Sequence, residues 1–453
     1  MHFRISKDTE MTPELLSEYI TKHEALVMRK NKPLQEAYEN RYKVFGMKKK
    51  AGWKPDNRIS VNFAKYIVDT FNGFFCGIPI KTESDDQNVA GMLSFLDAYN
   101  DQDTNNAELA KLMDIHGSAH EMYYVDEQSE LCITYLSPET SFFLVDDSIL
   151  ERPMYFVRYY WDSDNVLRGS WSDKTVVQHF YQNGSFRWDG EATTHFFSDV
   201  PATEYVSNDE QMGLFESALP MINAYNKALS EKANDVDYFA DAYLKILGVK
   251  AEDQDMMHIR SNRVINFEGD IDKLPEVDFL TKPDADSTQE HLLDRLEELI
   301  FQVSMVPNIN AEDFGATSGV ALRYKLQSMS NLFRSKERRF TSGMQHRYKV
   351  LFSHPNAGTG ENRVSPDDWV KIRYLFTPNY PANVADEAQT AAQLSGIVSH
   401  ETQLRVLSFV DNPKEELKRI AQEEEQSAAS LDIYNDLKLK KQTTETVEEE
   451  REE

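Results

Sequence analysis

The chain has 453 residues, enough for two or three domains each with its own core, and 40% hydrophobic residues with 25 Phe and 21 Tyr predict that most of it folds. A formal net charge of −27 makes a poor surface for gripping nucleic acid, because duplex affinity comes mainly from neutralising phosphates. Two cysteines, Cys76 and Cys132, exclude a disulfide framework and a cysteine-rich zinc site, and they fit a reducing compartment.

Lys7, Asp8 and Glu10 interrupt any apolar core of a signal peptide, and no run of about 18 apolar residues predicts a membrane span. Thr12-Pro13 opens a helix in cap-then-proline order, with Leu15, Leu16, Tyr19, Ile20, Leu26 and Val27 as its buried stripe. A second helix follows Pro33, with Leu34, Tyr38, Tyr42 and Phe45. Then comes a basic loop, Lys48, Lys49, Lys50, Lys54 and Arg58. Asn62 caps a third helix, which Gly77 and Pro79 end.

From His120 to Trp188 the period shifts to two. Leu131–Leu136, Met154–Trp161 and Val176–Tyr181 are aromatic and β-branched, as strands prefer, and Asn183-Gly184 signals a hairpin. An antiparallel meander flanked by helices is an α+β arrangement. The helical period returns at Ala218 and runs to Leu247, with Pro220 in the first turn and Gly248 past the end. Residues 249–285 are a small insert with short strands, Arg263–Phe267 among them.

Ser287-Thr288-Gln289-Glu290 reads as a capping box, and Leu292, Leu296, Leu299, Ile300 and Val303 recur behind it at helical spacing. Glu290, Asp294, Glu297 and Glu298 fall largely on another face. Pro307 ends this helix, and the polar loop Asn308–Gly319 leads into a second long helix carrying Leu322, Leu326, Met329, Phe333, Phe340, Met344, Tyr348 and Leu351. Such a loop between long helices is rare in a packed enzyme unless the loop itself works. A strand at Trp369–Phe376 and a helical C-terminal region follow. Asn383 starts that region with Asp386 as partner acid, and Asn412-Pro413 with Glu415 caps the last helix.

Candidate chemistry is thin. His116 and His120 are four apart, but Gly117 between them places the helix end there, so an ordinary turn outweighs a zinc pair. Gly315-Ala316-Thr317-Ser318-Gly319 lacks the Lys that a phosphate loop needs, and Val320 and Ala321 follow instead. Asp146-Asp147 and Asp367-Asp368 read as turn residues rather than acid–base pairs, Gly358-Thr359-Gly360 as a turn, and no Gly-x-Ser-x-Gly elbow occurs. Arg323, Lys325, Arg334, Lys336, Arg338 and Arg339 surround the long helix and are expected to meet acids of neighbouring subunits or solvent, with direct phosphate contact as the rival reading.

In order and spacing, several segments resemble the portal proteins of tailed bacteriophages, in the SPP1-like family of siphophages. They are NRISVNFAKYIVDTFNGFFCGIPI (57–80), GSAHEMYYVDE (117–127), LPMINAYNKALSEKANDVDYFADAYLKILG (219–248), VPNINAEDFGATSGVALRYKLQSMSN (306–331) and YPANVADEAQTAAQLSGIVSHETQL (380–404). The likeness runs from about Met11 to Gln426. It implies an α+β portal fold, with a mixed helical and antiparallel-β wing at 1–217, completed by the long helix at 320–353 and by 354–382. Stem helices would occupy 218–248 and 287–307, a small α/β clip 249–286, a tunnel loop 308–319 and a helical crown 383–430. The acidic tail at 431–453 is expected to be disordered.

The resemblance further implies a homo-oligomeric ring, a dodecamer in the virion, at the capsid vertex. Double-stranded DNA would pass through its channel during packaging and ejection. Tunnel-loop residues Asn308, Asn310, Glu312, Asp313, Gly315, Thr317 and Gly319 would touch the duplex, and Glu290, Asp294, Glu297 and Glu298 would face the lumen. An acidic wall would keep phosphates from sticking. No bond chemistry, metal or cofactor is expected. The implied partners are the terminase large subunit, the major capsid and scaffold proteins, and a head-completion or adaptor protein, with assembly in the host cytoplasm. The rival reading is another virion structural protein, a minor head or adaptor protein.

Overall fold

The computed structural model describes residues 2–50, 55–240, 244–247, 276–279, 286–309, 324–358, 362–380, 384–407, 410 and 412–425. The chain divides into two compact units, Met1–Ala311 with Lys325–Asn379, and Glu312–Tyr324 with Tyr380–Glu453.

In the first unit, strand β1 (Phe3–Ile5) precedes α1 (Pro13–Arg29), whose start is set as the sequence predicts: Thr12 Oγ1 accepts the Leu15 N–H at 3.2 Å and Pro13 takes the first helical position. The fully buried face of α1 is narrower than expected, Leu16, Ile20 and His23. Helix α2 (Asn31–Tyr38) begins before Pro33, which first-turn geometry tolerates because those N–H groups have no intrahelical acceptor. Phe45 lies outside it, in a 3₁₀ turn at Lys43–Gly46. Asn62 caps α3 (Phe63–Cys76) through the Lys65 N–H at 3.1 Å.

After β2 (Lys81–Glu83) come α4 (Gln87–Tyr99) and α5 (Gln102–His116), of which only the end of α5 at Gly117 was read from the sequence. Helix α5 buries Gln102, Asn106 and Asp114 beside Leu109, Ala110 and Met113, so its apolar stripe is blurred. Gly117, at φ 84°, ends it in the left-handed conformation that glycine adopts freely.

Strands follow in chain order: β3 (Ser118–Val125), β4 (Leu131–Leu136), β5 (Ser141–Asp146), β6 (Pro153–Trp161), β7 (Leu167–Ser172), β8 (Val176–Asn183), β9 (Ser185–Thr194) and β10 (Ala202–Val206). β5 to β9 form an antiparallel meander, turning at Gly184 with φ 73°, while β3 and β4, expected in the same meander, pair in a separate sheet. β1 adds an unforeseen parallel edge on β5, pairing Phe3 with Leu144 and Ile5 with Asp146. Leu16 and Ile20 of α1 pack on this sheet against Phe142, Val157 and Phe180. A second sheet has the order β10-β3-β4.

Helix α6 (Leu219–Ala240) stops short of the expected Leu247. Leu244–Leu247 is instead strand β11, antiparallel to β12 (Glu276–Phe279). Leu-Lys-Ile-Leu alternates in a way that serves a strand as well as a helix, and a pairing partner decides between them. The expected strand at 263–267 lies outside the described residues. Helix α7 (Asp286–Ser304) starts one residue ahead of the capping-box serine. Helix α8 (Gln327–Ser353) buries Met329, Phe333, Phe340, Met344, Tyr348 and Leu351 as expected. Gly343 lies directly under Tyr205, where an added Cβ would come within 2.3 Å of the ring. The strand expected at Trp369–Phe376 shrinks to β13 (Arg373–Leu375), paired with β2, because Asp368–Lys371 is a 3₁₀ turn.

The second unit is helical where described: α9 (Val384–Gln393), α10 (His400–Leu404) and residues 413–425. Asn412 Oδ1 accepts the Lys414 and Glu415 N–H groups at 3.2 and 3.3 Å, as the sequence predicts. Helices beside antiparallel sheets make the chain α+β.

Candidate functional site

Helix α6 buries a polar stripe: Ile222 is followed by Asn226, Ser230 and Asn234, one per turn. These three side chains accept backbone N–H groups from alternate residues of the extended segment 57–61. Val61 donates to Asn226 Oδ1 at 2.8 Å, Ile59 to Ser230 Oγ at 2.9 Å and Asn57 to Asn234 Oδ1 at 2.5 Å. The match is one of pitch, since two extended residues advance about 6.6 Å and four helical residues about 6 Å. The Asn-x-x-x-Ser-x-x-x-Asn spacing was visible in the sequence, but polar residues at helical period read as a solvated face.

The other flank of α6 carries α7, where Lys232 pairs with Glu290, and Gln289 donates to Asp235 at 3.2 Å. Phe301 of α7 meets Phe63 and Tyr66 of α3 edge-on at 5.7 and 5.6 Å. The buried line of α7 is Leu293, Ile300 and Ser304; of the stripe read from the sequence Ile300 is buried, whereas Leu292 is 51% and Val303 43% exposed and Leu296 and Leu299 are half-buried. The sequence reading took in Ile300 and missed Leu293, because two apolar faces overlap on this helix.

Helix α7 ends at Met305, which takes φ 60°, ahead of Pro307. Beyond it, Asn308 Nδ2 donates to Glu297 Oε1 at 3.2 Å, and the Ile309 N–H donates to the Tyr66 hydroxyl at 2.9 Å. Ser328 Oγ, in the first turn of α8, donates to the Met305 carbonyl at 3.0 Å. The chain therefore leaves α7 and enters α8 at one place. Of the expected tunnel-loop residues only Asn308 is described; Asn310, Glu312, Asp313, Gly315, Thr317 and Gly319 lie outside the described residues. Among the expected lumen acids, Asp294 and Glu298 are exposed, Glu298 accepting from Arg295 at 2.6 Å. Glu290 and Glu297 are engaged with Lys232 and Asn308.

Helix α8 is fixed from within by two buried ion pairs. Arg347, 0% exposed, grips Glu121, 1% exposed, through Nε at 2.8 Å and Nη2 at 2.7 Å. The Tyr123 and Tyr205 hydroxyls donate to the same carboxylate at 2.9 and 3.0 Å. Burial alone would pull the Arg347 guanidinium down, but Glu121 reverses this and holds it well above its ordinary value. Lys336 pairs with Asp114 at 2.7 Å and sits 4.7 Å from the centre of the Phe75 ring. This corrects the reading of Lys336 as a surface cation. Arg334 and Arg339 also find acids within the chain, Glu337 at 2.8 Å and Asp209 at 2.6 Å. Arg323 lies outside the described residues.

His116 and His120 diverge as expected, one ending α5 and the other inside β3, where it bonds Ser141 Oγ at 2.7 Å. Among the described residues no three His, Cys, Asp or Glu side chains group to hold a metal ion, and no helix is long and apolar enough to cross a membrane. Asp146 and Asp368 serve turns: Asp146 Oδ1 accepts the Ser148 and Arg152 N–H groups, and Asp368 Oδ2 that of Ser365.

The family described as "Phage portal protein, SPP1 Gp6-like" matches residues 17–430. The chain belongs to this SPP1-like family of phage portal proteins. It is 22% identical over 417 residues to the portal protein of Clostridium phage phiCD119, covering 84% of this chain and 88% of the relative. It is 23% identical over 406 residues to the portal protein of Bacillus phage SPP1, covering 83% of this chain and 78% of the relative. For this portal-family chain the likeness spans both compact units, and α6, α7 and α8 all fall inside the matched range.

Proposed function

We propose that the chain is the subunit of a ring at the capsid vertex, through whose channel double-stranded DNA is packaged and later ejected. Family membership over residues 17–430 is the observation that carries this reading. In it, residues 1–217 with 320–382 are the wing, 218–248 and 287–307 the stem, 249–286 the clip, 308–319 the tunnel loop and 383–430 the crown. The ring is a dodecamer in the virion, assembled in the host cytoplasm. It performs no bond chemistry: a terminase large subunit docks at the clip and supplies the ATPase, and a head-completion protein replaces it after packaging. Capsid and scaffold proteins surround the wing.

Tunnel-loop residues Asn308, Asn310, Glu312, Asp313 and Thr317 touch the duplex without reading bases, and Gly315 and Gly319 let each loop move separately. Exposed Asp294 and Glu298 favour an acidic lumen that repels phosphates. Negative-stain images of the purified protein test the whole reading: annuli with a central hole are expected, and a compact monomer at high concentration, even with capsid and scaffold proteins present, overturns it.

A further inference from the structure

The end of α7 is gripped from two directions. Glu297 and Phe301 lie one turn apart on the same face of that helix. Phe301 packs edge-on against Phe63 and Tyr66 of α3, and Phe63 packs edge-on at 5.0 Å against Tyr225 of α6. Glu297 is half-buried beside the same cluster: burial, then the charges of Glu297 and Asp294, raise the Tyr225 hydroxyl above its ordinary value. Three helices therefore meet where α7 stops.

The chain does not run straight on from that end. At about 1.5 Å per residue Met305 lies about 12 Å beyond Glu297 along the axis. Yet Asn308 Nδ2 reaches back to Glu297 Oε1 at 3.2 Å, so the chain turns back beside α7. Met305, left-handed at φ 60°, and the fully buried Val306 make that turn. One residue further the Ile309 N–H donates to the Tyr66 hydroxyl at 2.9 Å, and the ring behind that hydroxyl is set by Phe301. A single anchor would fix only where the chain is. Two anchors on consecutive residues, one from α7 and one from α3, also fix the direction in which it departs toward residue 310.

We infer that Glu297 and Tyr66 are positioning residues, which aim the segment after Ile309 that the channel reading places against DNA. Glu297 does this as a hydrogen-bond acceptor turned to its own subunit, not as a charge on the channel wall. Its neighbours Asp294 and Glu298 are exposed whereas Glu297 is half-buried, which separates its role from theirs. The assignment rests on the channel proposed above and names residues of this chain that serve it.

The test separates acceptor from charge. Glu297→Gln keeps an oxygen of the same reach and loses the charge, Glu297→Ala loses both, and Tyr66→Phe loses one oxygen and keeps the ring. All three should keep the circular dichroism of the full-length chain. Amide exchange at Ile309, corrected for intrinsic rate, should quicken by about three- to tenfold in Tyr66→Phe and Glu297→Ala, as one lost hydrogen bond implies. In Glu297→Gln it should stay at the wild-type rate. Packaged DNA should follow the same pattern, normal with Glu297→Gln and reduced with the other two. A Glu297→Gln chain as defective as Glu297→Ala overturns the assignment, because charge would then be what matters. So does unchanged exchange at Ile309 in both Glu297→Ala and Tyr66→Phe, or full packaging by those two where deleting Ala311–Ser318 reduces it. Normal packaging by that deletion counts against the loop reading instead, and the exchange rates still decide whether the two residues hold the segment.

Discussion

Glu121 receives Arg347 and two tyrosine hydroxyls at once, so removing Arg347 leaves a buried carboxylate with neutral hydroxyl partners and no counter-ion. Arg347→Ala should cost about 3–5 kcal/mol, read as a lower midpoint in chemical unfolding, because the orphaned carboxylate stays where water cannot reach. His116 is the opposite case. It is fully buried, neither ring nitrogen has a hydrogen-bond partner, and burial pushes it down to about 3, with Lys30 adding in the same direction. Its unfolded form takes up a proton near 6.5 while the folded form resists, so its contribution is present above that pH and is lost as pH falls. His116→Leu should leave stability equal or raised near pH 7 and should flatten the loss of stability between pH 6.5 and 4. His2 titrates the other way. Its bond to Glu204 raises it against desolvation, and the bonds from His120 and His2 outweigh burial to depress Glu204. The clamp on β1 is therefore complete between the unfolded value of Glu204 and that of His2, and it weakens as pH climbs through the raised value of His2. Amide exchange at Phe3–Ile5, corrected for intrinsic rate, should be faster at pH 8.5 than at pH 6, and His2→Gln should erase the difference.

The Asn226, Ser230 and Asn234 ladder joins α6 to a segment about 170 residues earlier in the chain. Each alanine replacement there should cost about 1–3 kcal/mol, because a strap N–H loses its acceptor. It should also speed tryptic cleavage around Lys48–Arg58, a readout specific to the strap. Elements with strong local signals were legible in the sequence: the Thr12 and Asn62 caps, the Asn183-Gly184 hairpin, the α8 stripe. Helix α4 and the body of α5 were not, although Gly117 marked the end of α5, because α5 mixes buried amides and Asp114 with its apolar residues. The ends of α6 and the β13 strand depended on pairing with residues far along the chain, which no local window contains. In α7 two apolar faces overlap, and only a packing partner selects which one is covered within a single copy. At the expected site α7 and α8 were legible as helices and residues 310–323 between them lie outside the described residues, while the Asn226, Ser230 and Asn234 ladder of α6 was not read.

At the scale of the assembly, the acidic surface sets how rings treat DNA. Purified rings should bind free duplex weakly at physiological salt in a filter or mobility assay, since the fixed charge repels phosphates. Tight, salt-sensitive binding to the outer surface would contradict an acidic conduit. Deleting Ala311–Ser318 should leave rings intact and reduce packaged DNA sharply; normal packaging by that deletion would remove the loop from the mechanism. Both feet of that loop are pinned at one spot, Met305 to Ser328 and Ile309 to Tyr66. Lengthening a segment between two such fixed ends carries only a slowly growing entropic cost. In the proposed ring, a change in the length of this segment would leave both anchors as they are.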